Sequence, residues 1–552
     1  MQPPAGKNAA DSAWAARKPA AEKEREAAQY KISRDVRSQV LLPPTNLHPA
    51  NHVSSQLLSS TSQPYKLQFM NGIDLNEIPD AFLGYAWSQL SPRDRVKALA
   101  GASRTLWLFG AGASYHYDLN IRNVPVPLAS GFFEAFNRLP TSSGFNAHVG
   151  PLILYLGEYR GILPNEVSKW TENIEMFMTS LEKELLTIKA KKGKRSKDDS
   201  SRIFSLAPTI NNMTFIFANV INEAQNGPSE SLYTYLLESC GPNDTFVTFN
   251  WDTLLDRALA STGGWSPDDG YGLSFTATMD GAWRKRLAER AAFKTNWRLL
   301  KLHGSTNWLV PYTYIDFQTL EFLKTVPRSD RIFLYWQATL PFKTHNSRWR
   351  GGYVPTTYGY YPPNIPGKFF PKQHLKAKPG HVFVRINPMG IFSPFKEPAA
   401  DGVPASPLLI TPVKQKRYED YSSSIEKLWA NTERSIKDAV RIVVIGYSFP
   451  ETDVRAMKML RTVLAQRKGE VELQIVAPDA EQIADRIGAL HLKKAKADGI
   501  FAGKFEDYMD VLSQGFPSLM REAAAKNNEI RDWVIRLFVM NTFALVGAKR
   551  NY

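Results

Sequence analysis

Short unbroken apolar runs that end in small or polar residues recur along this chain, and longer stretches with an apolar residue at every third or fourth position separate them. The first run leads into "LWLFGAGASYHYD" (Leu106–Asp118). Others are "DTFVTFNWD" (Asp244–Asp252), "WRLLKLHGSTNW" (Trp297–Trp308), "RIVVIGYSFPETD" (Arg441–Asp453) and "VELQIVAPD", which ends at Asp479. Continuous apolar runs of this length mark strands covered on both faces, as in a parallel sheet. Helical spacing marks "IPDAFLGYAWSQL", "NIEMFMTSLEKELLTI", "MTFIFANVINEA" and "VRAMKMLRTVLAQ". Strands alternating with such helices predict an α/β fold.

The expected architecture is a Rossmann-like, doubly wound parallel sheet with two insertions. Ligands of such sheets sit beyond the carboxyl ends of the strands, where all the polar tips above would gather. Residues 1–65, rich in Ala, Lys, Glu, Pro and Ser, lack apolar periodicity and read as a disordered tail. The folded body is placed at 66–515, with a helical insertion over about 150–240 and an aromatic, basic, proline-rich insertion over about 310–405. Residues 516–552 read as a helical segment and candidate subunit contact. Its apolar run, Leu537–Ala548, falls short of the roughly 20 residues that cross a bilayer, so no membrane partner is expected.

Composition narrows the setting. The chain has 552 residues, 43% of them hydrophobic, enough for a large core or two ordinary ones. Its single cysteine, Cys240, excludes an intrachain disulfide and a multi-cysteine zinc site, and fits a reducing compartment, the cytoplasm. The N-terminus lacks the apolar core of a secretory signal, and Asp11, Glu22, Glu24 and Glu26 argue against a transit peptide. A net charge of +15 allows an acidic partner such as nucleic acid. The basic run Lys191–Lys197 reads as a solvated loop, with nucleic-acid contact as the alternative. In the second insertion, aromatic residues among lysines and arginines suit either ordinary packing or base stacking. His345, His374 and His381 there lack metal-site spacing and read as structural or surface residues.

Three strand tips carry candidate chemistry. Gly110, Ala111, Gly112 and Ser114 follow the first strand, but Tyr115 stands where the dinucleotide fingerprint needs its third small residue. Alone, the loop is either a tight turn or an anion cradle at a helix start. Asn250 and Asp252, two residues apart, point the same way. They suit a ribose, a carboxamide or a water, although Asp252 could simply cap the following helix. His303, beside Gly304, is either a general base or a histidine satisfied within a turn.

Taken in order, "GAGAS", "TFNWD", "LHGS" and "VIGYS" resemble the sirtuin-like superfamily. With "NIE" (Asn173–Glu175), "PLLITPVKQK" (Pro407–Lys416) and "IGYSFPETD", the chain more narrowly resembles bacterial sirtuin-like domains of anti-phage defence systems, over roughly residues 100–515. The resemblance implies NAD as substrate. Gly110, Ala111, Gly112 and Ser114 would hold its pyrophosphate, Gly446, Tyr447 and Ser448 would lie near the adenosine half, and Asp479 would touch the adenine ribose. Asn250 and Asp252 would surround the nicotinamide ribose, and His303 would act on a ribose hydroxyl. Protein-deacetylating sirtuins carry a four-cysteine zinc module after the histidine. No cysteine follows His303, so no zinc is expected and deacetylation is disfavoured. The implied activity is hydrolysis of NAD to nicotinamide and ADP-ribose, as the effector of an immune system restrained until assembly or a partner releases it. A homo-oligomer and a separately encoded sensor are the expected partners, with the C-terminal helix and the tail as candidate control elements. The alternatives are a protein deacylase or ADP-ribosyltransferase, and a non-catalytic NAD or ADP-ribose-binding module with a nucleic-acid-binding surface.

Overall fold

A parallel strand needs hydrogen-bonded neighbours on both edges and apolar cover on both faces, and "TLWLF" supplies that cover at every position: all five residues of β1 (Thr105–Phe109) are buried. In the computed structural model it is joined by β2 (Thr245–Thr248), β3 (Arg298–Lys301), β4 (Arg441–Ile445), β5 (Val471–Ala477) and β6 (Ala495–Ala502). The order across the sheet is β6-β5-β4-β1-β2-β3, and every pairing is parallel. Read from the β3 edge this is the doubly wound order 3-2-1-4-5-6, so the fold is the expected Rossmann-like one. Its two halves diverge between β1 and β4, where such sheets open a crevice at their carboxyl ends.

The structure describes residues 73–120, 123–138, 146–191, 196–225, 227, 232–280, 282–284, 291–311, 314–316, 321–323, 332–336, 384–386, 403–414, 416, 418, 423–488 and 495–548. Contacts divide the chain into residues 1–72 and Ile73–Tyr552, and only the second unit is described. The expected tail 1–65, most of the basic run after Lys191, and His345, His374 and His381 lie outside the described residues.

One buried carboxylate fastens the amino end of the sheet. Asp244, just before β2, accepts from the Thr105 and Gly241 backbone amides at 3.0 and 3.1 Å and from the Trp107 indole at 3.0 Å. Burial pushes its carboxyl up to about 6 against these bonds.

Two sequence expectations change in detail. The run Trp297–Trp308 reads as a strand with its tip at His303, but β3 ends at Lys301 and a second strand, Gly304–Pro311, starts after a turn at Gly304, whose φ is +80°. A Cβ there would lie 2.0 Å from the Leu408 carbonyl oxygen, so glycine is required. The second strand pairs with Val403–Leu409 and Phe333–Tyr335 in a separate six-stranded sheet. The main sheet also gains β6, which no apolar run announces.

The helical insertion contains Asn146–Arg160, Ile174–Ala190 and Lys197–Ala224. Asn173 and Ser196 cap the latter two through their side chains. Helix Asp80–Gln89 meets Phe516–Lys526 and Asn528–Ala548 in a separate small core built on Trp87, Met520 and Val534. Among the described residues no helix is long and apolar enough to cross a membrane.

Candidate functional site

At the crevice, the loop after β1 and the loop after β4 are interlocked. The Gly110 amide donates to the Ile445 carbonyl and the Gly112 amide to the Gly446 carbonyl, both at 3.0 Å. A Cβ on Gly112 would come within 2.9 Å of the Gly446 Cα, and one on Gly446, whose φ is +62°, within 2.3 Å of the Ala113 nitrogen. The glycines therefore let two backbones touch, and the Gly112 amide is already taken.

Above this junction opens a cavity of about 790 Å³. Asn250, Asp252 and His303 line it together with Ala111, Gly112, Gly446, Tyr447, Ser448 and Asp479. The tips of β1, β2, β3, β4 and β5 thus converge, although they lie far apart in sequence. Gly110 and Ser114 are placed differently, beneath the wall.

Ser114 is fully buried and organises the residues above it. Its hydroxyl donates to Asp252 Oδ2 at 2.9 Å, accepts from Asn250 Nδ2 at 3.0 Å, and meets the Tyr233 hydroxyl at 2.8 Å. Asn250 Nδ2 also donates to the Gly110 carbonyl at 2.9 Å. Its amide nitrogen is engaged, so its carbonyl oxygen is the end available to a ligand. Asp252 Oδ1 accepts from the Leu254 amide at 3.0 Å, so the carboxylate caps the helix Leu254–Ser261 and faces the cavity at once. Burial pushes its carboxyl above the ordinary value, against the pull of Lys301.

His303 stands edge-on to Phe249, with ring centroids 4.9 Å apart, and Phe249 stacks flat on Tyr447 at 4.0 Å. Its Nε2 lies 3.3 Å from the Tyr418 hydroxyl and 3.6 Å from Asp453 Oδ1. Burial, helped by Lys416 and opposed by Asp453, lowers the imidazole to about 4. The ring is therefore neutral at neutral pH and able to accept a proton.

No family model matches the chain, and no curated protein matches it. Solved Sir2 homologues are similar to it. A mutant Sir2 homologue in complex with ADP-ribose is 14% identical, with 77% of this chain and 95% of that one covered and a TM-score of 0.29. A Sir2 homologue in complex with NAD is 14% identical, with 77% and 94% covered and a TM-score of 0.27. A third structure, titled for the mechanism and regulation of Sir2 enzymes, is 11% identical, with 77% and 98% covered and a TM-score of 0.27. At such values the site has to be read from its own geometry.

That geometry brings in residues to which sequence reasoning gave no role. Lys416 and Asp453 form a buried ion pair in the wall, and Tyr447 donates its hydroxyl to Asp453 Oδ2 at 2.6 Å. Glu175 also lines the cavity and accepts from the Thr452 hydroxyl at 3.0 Å. All three acidic or basic residues end motifs quoted above: "NIE", "PLLITPVKQK" and "IGYSFPETD". Lys504 and Glu506 border the cavity alongside Asp479. Among the described residues no group of three or more His, Cys, Asp or Glu side chains is placed to hold a metal ion.

Proposed function

We propose that the chain binds NAD in this cavity and hydrolyses the nicotinamide–ribose bond, releasing nicotinamide and ADP-ribose. The observation that carries the reading is the meeting of Asn250, Asp252 and His303 on one cavity at the divergence of the sheet, beside the interlocked glycine loops. The motif resemblance supplies the ligand class. In the reaction a bond forms between water oxygen and the anomeric carbon as the bond to the nicotinamide nitrogen breaks. Nicotinamide leaves neutral, and the water's proton passes to a base.

The chain's own groups suit these steps. The free carbonyl oxygen of Asn250 can orient the water. The Asp252 carboxylate, fixed by Ser114 and the Leu254 amide, stabilises the positive charge that builds on the ribose. Neutral His303 accepts the proton, directly or through a ribose hydroxyl. Gly446–Ser448 and Asp479 are assigned to the adenosine half. On the same motif resemblance we place the activity in a bacterial anti-phage system, switched on by assembly or a partner.

The test is nicotinamide release from NAD by the full chain over a range of protein concentrations. Release that falls about 10²–10⁴-fold in His303→Ala supports hydrolysis through His303. Undetectable release at every concentration overturns activation by self-assembly, and equal release from the variant overturns hydrolysis through His303. Release that requires an acylated peptide, or label left on a protein acceptor, replaces water with another nucleophile.

A further inference from the structure

Lys416 and Asp453 reach the cavity wall from two separate segments, one after the strand Val403–Leu409 and one just before the helix Val454–Gln466. Both side chains are only 4% exposed. Lys416 Nζ lies on Asp453 Oδ1 and donates to the Thr452 carbonyl at 3.2 Å. The same Oδ1 faces His303 Nε2 at 3.6 Å, while Tyr447 occupies Oδ2. One carboxylate is thus shared by a cation and the imidazole.

We infer that Lys416 and Asp453 are a positioning pair for His303, in which the carboxylate orients the ring and the lysine prevents that carboxylate from charging it. The inference deepens the hydrolase reading, which gives His303 its task as base. A carboxylate 3.6 Å from an imidazole, left alone, favours the protonated ring and would remove the base. A lysine on that carboxylate cancels the attraction, and burial of the ring then keeps it neutral. Burial opposes ionisation of Asp453 as well, but His303, Lys416 and the Tyr447 hydroxyl outweigh it and hold the carboxyl below its ordinary value. Among the described residues, the other titratable groups around the ring are the Tyr418 hydroxyl at Nε2, Tyr447 behind Phe249, and Glu175 beyond Thr452. Burial pushes the Tyr447 hydroxyl well above its ordinary value, so it carries no charge at neutral pH.

The two members of the pair predict opposite effects, which a merely structural role does not. In the full chain labelled at the histidine ring carbons, the His303 resonance is assigned by its loss in His303→Asn and titrated by NMR. Lys416→Met is expected to move the His303 titration up by about one pH unit or more. Asp453→Asn is expected to leave the ring neutral down to the lowest pH at which the chain stays folded. Lys416→Arg should restore the wild-type titration, and Lys416→Gln serves if the methionine variant does not fold. The acidic limb of nicotinamide release should follow the same shifts. Unmoved titrations in the folded variants, or shifts in one direction for both, overturn the inference. Opposite shifts in a chain that releases no nicotinamide would keep the pair and remove the hydrolase reading.

Discussion

Among the described residues the protein holds two buried lysine–aspartate pairs of nearly the same construction, in two different places. In the first, Lys301 Nζ lies 2.9 Å from Asp256 Oδ2, and Tyr271 donates its hydroxyl to Oδ1. In the second, Lys416 lies on Asp453 Oδ1 and Tyr447 donates to Oδ2. The first pair is away from the cavity, at 1% and 0% exposure, and Lys301 also donates to the Asp252 carbonyl. It ties the β2 tip and the helix after it to β3, and so holds the Asn250–Asp252 segment in place. The second pair borders the cavity and adds a histidine to its carboxylate. Identical chemistry therefore fixes the backbone in one place and tunes a side chain in the other, and proximity to the cavity makes the difference.

Removing a lysine from each pair tests that contrast most strongly. Lys301→Met strands the Asp256 carboxylate in a dry interior and should cost about 3–5 kcal/mol in urea unfolding. Lys416→Met leaves Asp453 beside a cavity that admits water, and should cost about 1–3 kcal/mol. Equal losses would erase the distinction.

A smaller effect separates the pairs by pH. An unfolded histidine takes its proton near 6.5, whereas folded His303 does so only near 4. Between these values the unfolded chain binds more protons, so His303 contributes stability that is complete above about 6.5 and is lost as pH falls toward 4. Glu238, raised to about 7, and Asp244, raised to about 6, both by burial, give the opposite slope. The difference between wild type and His303→Asn isolates the histidine. That difference should persist in Lys301→Met and change in Lys416→Met. An unchanged profile in Lys416→Met would count against the coupling.

The smallest effect comes from the tyrosines. Tyr271→Phe removes a bond to a charged group with no water to replace it and should cost about 2 kcal/mol, measured by thermal unfolding. Tyr447→Phe should cost about 1 kcal/mol or less, because Asp453 borders the cavity. The reverse order would contradict the assignment of the dry and wet pair.

The sequence shows five of the six main-sheet strands because strands buried on both faces need unbroken apolar runs. β6 escapes notice because Lys496, Asp498 and Gly499 interrupt the apolar pattern of "AKADGIFA". The division of Trp297–Trp308 between two sheets is equally hidden, since the second strand opens on polar Ser305, Thr306 and Asn307 and no apolar run announces its start. Asn250, Asp252 and His303 are legible because a polar residue at a strand tip is conspicuous. Ser114 is legible as a hydroxyl beside a glycine loop, but its place under Asn250 and Asp252 follows only from three-dimensional packing. Lys416 and Asp453 lie inside quoted motifs, yet no spacing rule connects them with His303, because their meeting depends on two loops from opposite sides of the crevice.

The interlocked glycine loops join segments that leave the ribosome far apart in time. β1, β2 and β3 are complete once Lys301 has left the ribosome, but the other edge of β1 waits for Arg441–Ile445. Through that interval the nascent chain carries a central strand with one edge open, the kind of edge that recruits other strands or chaperones. The walls from Gly446 to Asp453 and at Asp479 come later still. A half-made chain therefore has β1 and His303 but no enclosed cavity, which is walled only when almost all of the sheet exists.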